Sequence, residues 1–118
     1  MAHEICHVEI PCKDVEKIAG FYREVFGWEI NPIPEMNYSL FKAGEGVGGG
    51  FNLVSENIPN KIIVYIHVDD INGSLETVRN NGGEEVQPKT PVGDFGFAAQ
   101  FKDAEGNLIG LWEDAPQK

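Results

Sequence analysis

The stretch His7-Val8-Glu9 sets an imidazole and a carboxylate two residues apart. In an extended strand, side chains alternate between faces, so residues two apart share one face. Such a pair can move a proton to or from a bound molecule once burial brings its pKa values toward neutrality. Tyr65-Ile66-His67 repeats the spacing with a phenol and an imidazole. His7, Glu9 and His67 are therefore the candidate catalytic groups, and Tyr65 is a candidate ligand-binding wall. Trp112, two residues beyond Gly110, adds a second aromatic wall, and aromatic walls with a few polar groups suit small molecules. The remaining feature is the run Gly48-Gly49-Gly50 inside "GEGVGGGFN". Glycine weakens a strand, so three in a row imply that something needs the space or the close backbone approach. Gly49, Gly50 and Gly110 are accordingly placed with the ligand-binding residues.

The elements that must position these groups come in two copies. "EIPCKDVEKIAGFYREVFGWEI" (9–30) and "YIHVDDINGSLETVRNNGGEEV" (65–86) align without a gap. Each reads as a strand, a capped helix and a glycine stop. Asp14 and Asp70 stand at the N-cap positions, with Gly27 ending the first helix and Gly82 and Gly83 the second. Val15, Ile18, Ala19, Tyr22, Val25 and Phe26 recur at helical spacing; Ile71, Leu75 and Val78 form a weaker stripe. Three strand-like segments follow each helix: "WEINPI", "NYSLFKA" and "GVGGGFNLV", then "EEVQPKT", "GFAAQFK" and "NLIGLWE", the last two joined by the turn "DAEGN". The repeating unit is βαβββ, with a first module over about 1–56 and a second over about 60–118 of one domain. Alternation puts Cys6, Val8 and Ile10 against a helix and His7 and Glu9 on the opposite face. Ile63, Tyr65 and His67 likewise oppose the apolar Val64, Ile66 and Val68.

A chain of 118 residues with 42% hydrophobic and 24% charged side chains is an ordinary globular composition, able to bury a core without disulfides. Its net charge of -10 repels polyanions, which argues against nucleic acid or an anionic membrane surface as partner. No apolar run approaches the roughly 20 residues that span a bilayer. "MAHEICHVEI" lacks the basic start and apolar core of a signal peptide. A cytoplasmic location is expected, with Cys6 and Cys12 as reduced thiols. No phosphate-binding loop, G-x-S-x-G elbow or HExxH helix is present.

"HVEIPCKDVEKIAGFYREVFGWEI", "VDDI…VRNNGG" and "KDAEGNLIGLWE", taken in order, resemble the glyoxalase/bleomycin-resistance/extradiol-dioxygenase superfamily, the vicinal oxygen chelate proteins. The resemblance spans nearly the whole chain and is strongest to members described as predicted enzymes related to lactoylglutathione lyase. It implies an α+β fold of two βαβββ modules whose sheets curl into a cup around a central cleft. It also implies a divalent metal held from the first and last strands of each module. Carried onto this chain, those slots fall on His7, on or near Gly49, on Ile63 and on Gly110; only His7 can ligate.

No cofactor is therefore expected, since a metal site needs at least three protein ligands. The expected function is action on, or binding of, an unidentified small molecule, lyase- or isomerase-like and without the four-ligand metal centre. The alternatives are a non-catalytic drug- or toxin-binding protein, or a metal-dependent lyase or dioxygenase with relocated ligands such as His7, Glu9 and His67. A homodimer is a further expectation of the resemblance.

Overall fold

The computed structural model describes residues 3–54 and 62–116. Two compact units emerge: residues 6–64 form the first, and residues 65–118 together with 1–5 form the second. The expected boundary between modules, near 56–60, lies outside the described residues. Each unit is one helix over a four-stranded sheet, so the α+β class and the doubled βαβββ unit are both present.

The first unit runs β1 (Ile5–Cys12, whose first residue belongs to the second unit), α1 (Val15–Phe26), β2 (Glu29–Ile33), β3 (Tyr38–Lys42) and β4 (Gly49–Leu53). A short 3-10 turn, Pro34–Met36, joins β2 to β3. Its strand order is β2-β3-β4-β1, antiparallel except for the parallel β1–β4 pair. Asp14 caps α1 as expected, accepting the Lys17 N–H at 3.1 Å. Gly27 ends it at φ +71°, a left-handed conformation that glycine adopts without a Cβ penalty. Cys12, Ala19, Phe41 and Phe51 form the core under α1, with Tyr22, Trp28 and Ile30 packed on it. Trp28 stacks between Tyr22 (4.7 Å) and Phe41 (4.6 Å). Val25 and Phe26, at the end of the helically spaced apolar stripe, are exposed, as is Phe21. A single helix on one sheet face buries a narrower arc than the apolar stripe offers.

The second unit contains β5 (Ile63–His67, in this unit from Tyr65), α2 (Ile71–Asn80), β6 (Glu84–Val92), β7 (Gly96–Lys102) and β8 (Leu108–Asp114), ordered β5-β8-β7-β6. β5 and β8 are parallel, and the other pairs are antiparallel. Val68, Ile71, Leu75, Ala99, Phe101 and Leu111 make its core. The "DAEGN" turn is held by Asp103, which accepts the N–H groups of Glu105 and Asn107, both at 2.9 Å.

The start of α2 differs from expectation. Asp70 has the extended backbone of an N-cap, yet its side chain makes no capping bond. Glu113 of β8 takes that part, accepting the Ile71 N–H at 2.9 Å while its other oxygen receives Lys89 Nζ at 3.1 Å. A carboxylate there satisfies an orphan donor and complements the positive end of the helix dipole. Glu113→Ala should lower the urea midpoint by about 1–2 kcal/mol of stability with an unchanged m-value, and Glu113→Gln should recover about half. Equal losses for both variants would show that the ion pair, and not the cap, matters.

Candidate functional site

In the first unit the site face is the one turned away from α1. Strand register decides which residues reach it. Phe51 of β4 lies in the helix-side core, so its neighbours Gly50 and Asn52 point the other way. Gly49 shares the parity of Phe51: a Cβ there would strike the Val8 carbonyl oxygen and approach Phe41 Cζ at 2.6 Å. Gly49 thus opens onto the core, and Gly50 is the glycine of the His7 face. Pairing supports this, since Glu9 stands opposite Gly50 just as Tyr65 stands opposite Gly110. Within the slot expected on or near Gly49, Gly50 is the residue on the His7 face, because a one-residue step changes the face.

Nor is the space over these glycines open. A Cβ on Gly50 would meet the ring and hydroxyl of Tyr38, and one on Gly110 would meet the ring of Tyr65. At both glycines a tyrosine ring occupies the space that a side chain would need. Tyr38 enters from β3 in the first unit; Tyr65 enters from β5 in the second and is buried.

Tyr38 brings the first cluster together. Its hydroxyl and His7 Nε2 form a hydrogen bond of 2.7 Å, and the two rings lie nearly parallel. Burial pushes the His7 imidazole below its ordinary pKa of 6.5, so it is held neutral. A neutral imidazole has one N–H and one lone pair, and its tautomer sets which partner donates to which. Glu9 follows on the same face, as alternation requires. On that face too, Asn52 Oδ1 is buried without a hydrogen-bond partner among the described residues. Sequence reasoning missed Tyr38; its signal is a tyrosine at the start of the strand that pairs with the glycine run.

His67, the other expected imidazole, belongs to a different cluster in the second unit. Glu4 Oε2 lies 2.9 Å from its Nδ1, and Asp114 Oδ2 lies 2.9 Å from its Nε2. Trp112 donates its indole N–H to Asp114 Oδ1 at 2.9 Å. Hydrogen bonding to Glu4, then to Asp114, raises the His67 pKa above 6.5. The two carboxylates therefore favour the protonated form of His67. Trp112, expected as a ligand wall, orients one of them.

The donor set does not fit a four-ligand metal centre. Gly50 and Gly110 supply no donor and are covered by tyrosine rings, and Ile63 cannot ligate. Among the described residues no group of three or more His, Cys, Asp or Glu is arranged to hold a metal ion.

The bleomycin-resistance-protein-like N-terminal family matches residues 4–44. A glyoxylase-like domain-containing protein of Didymella fabae is 34% identical over 113 residues, covering 88% of each chain. The chain belongs to the glyoxalase/bleomycin-resistance/dioxygenase superfamily. The putative glyoxylase CFP32 of Mycobacterium tuberculosis is 30% identical over 114 residues, and the chain spans 44% of that protein's length. A crystal structure of a superfamily member from Vibrio splendidus shares the fold at a TM-score of 0.66 and 17% identity, with 92% of this chain and 97% of that one covered. In this member of the glyoxalase-like superfamily, tyrosine rings fill the space over Gly50 and Gly110.

Proposed function

We propose that this glyoxalase-like protein binds a small carbonyl compound on the His7–Tyr38 face and moves a proton on it, as a lyase or isomerase does, without a metal centre. The observation that carries this reading is the 2.7 Å bond between a half-buried neutral imidazole and a phenol, with Glu9 two residues along the same face of β1. Groups of these types supply a proton acceptor and a hydrogen-bond donor for a developing oxyanion. The step is removal of a proton from the carbon next to the carbonyl by the His7 or Glu9 base. In the tautomer whose His7 Nε2–H donates to the Tyr38 oxygen, the Tyr38 O–H donates to the carbonyl oxygen and stabilises the charge that develops there, and the proton returns to carbon to complete the turnover.

The test is exchange of substrate C–H for deuterium, followed by NMR in heavy water, across a panel of 2-hydroxy and 2-oxo carbonyl compounds with and without chelator. Exchange that is indifferent to chelator and lost in Tyr38→Phe supports the reading. Exchange that chelator abolishes and one divalent ion restores overturns it. The match over residues 4–44 favours one second reading, a stoichiometric binder of a toxic small molecule. Saturable binding with no exchange on any panel member would select that reading.

A further inference from the structure

We propose that Glu4, His67 and Asp114 form a pH-sensitive clasp that fastens the N-terminal segment to β5 of the second unit. The segment leads directly into β1, which carries His7 and Glu9. Four contacts define the clasp. The His67 backbone N–H donates to the Glu4 carbonyl at 2.9 Å, and the His3 N–H donates to the His67 carbonyl. The Glu4 carboxylate then reaches His67 Nδ1 at 2.9 Å from the segment side. Asp114 reaches Nε2 from β8, itself fixed by Trp112. Among the described residues, the charged groups that face the ring are these carboxylates, Glu4 from the segment and Asp114 from β8.

The chemistry of the ring makes the clasp titratable. Two carboxylates facing two ring nitrogens need two N–H donors, and only the imidazolium has both. On deprotonation one nitrogen turns a lone pair toward a carboxylate, and an attraction becomes a repulsion. His67 is raised above 6.5 in the folded chain, so its contribution is complete below 6.5 and disappears as pH rises through the raised value. Glu4 and Asp114 are lowered from 4.5 and 3.8, so their contribution is complete above those values and disappears in stronger acid. The clasp is therefore closed in mildly acidic solution below 6.5 and loosens as pH rises through the raised His67 value. Its strength is bounded by exposure, since Glu4 and Asp114 are more than half exposed and such pairs shift populations only a few-fold.

Hydrogen exchange at the His67 amide reports the clasp directly, because its N–H is bonded to Glu4. The full chain is measured from pH 5.5 to 9, corrected for intrinsic base catalysis, with the His67 ring titrated by NMR in the same samples. The expected result is a protection factor that falls about three- to fivefold in step with the ring titration. Glu4→Gln should lower the ring pKa and remove most of that step. Asp114→Asn should lower the ring pKa while the step persists at the lower pH. Protection that is flat across the His67 titration, or a ring that titrates at or below 6.5, would overturn the proposal. Neither readout depends on a substrate, so the clasp stands or falls separately from the proposed activity.

Discussion

Gly49→Ala should be the most damaging single methyl in the glycine run, costing about 3 kcal/mol or more in urea unfolding, whereas Gly50→Ala should cost about 1 kcal/mol. The difference lies in what each added Cβ meets. At Gly49 it meets the Val8 carbonyl and the Phe41 ring, one backbone and the other locked in the aromatic core. Relief requires β1 and β4 to part where Val8 and Gly49 stand in register, and that strains both sheet and core. At Gly50 the obstacle is the outer end of Tyr38. That ring can swing away, which breaks its bond to His7 and readmits water. Gly50→Ala should therefore spare most of the stability and let the His7 pKa rise toward 6.5. Equal stability losses in the two variants, or an unmoved His7 titration in Gly50→Ala, would contradict this division of the run.

The repeat, the helix limits and the strand parity were legible because each rests on local chemistry. Asp14 and Gly27 act within a turn of their own positions, and the alternation of Cys12 and Ile10 with His7 and Glu9 needs only a strand. What could not be read is what crosses between elements. Glu113 replaces Asp70 as the cap of α2 from a strand some forty residues away. Tyr38 reaches His7 from a different strand, and Glu4 reaches His67 across most of the chain. A glycine run announces that space is needed and is silent about what fills it; here the occupants are tyrosine rings. Gly49 and Gly50 also lie on opposite faces, so a placement on or near Gly49 leaves open which of the two meets the site.

Replacing His7 should produce the largest functional loss. On any panel compound that exchanges, His7→Gln should lower kcat/KM by about 10²–10⁴, the usual range for general acid–base catalysis. Tyr38→Phe should lower kcat more than it raises KM, because its hydroxyl matters most as charge develops on the oxygen. The pH dependence fixes the role of His7. Its folded pKa is depressed by burial, so it stays a neutral base to below pH 6.5, and the acidic limb of the rate profile should lie under that value. If Glu9 alone were the base, His7→Gln would leave that limb in place. The same depression has a consequence that needs no substrate. Between the folded and unfolded pKa values the unfolded chain takes up a proton that the native imidazole refuses, so stability should fall as pH drops from 6.5 toward the folded value. Urea midpoints from pH 7 to 5 should show this slope in the wild type and a shallower one in His7→Gln. His67 titrates above 6.5 and cannot supply it, because its protonation strengthens the native state. A wild-type slope that survives intact in His7→Gln would mean that the imidazole is not buried as a neutral group, and the proposed base would be lost with it.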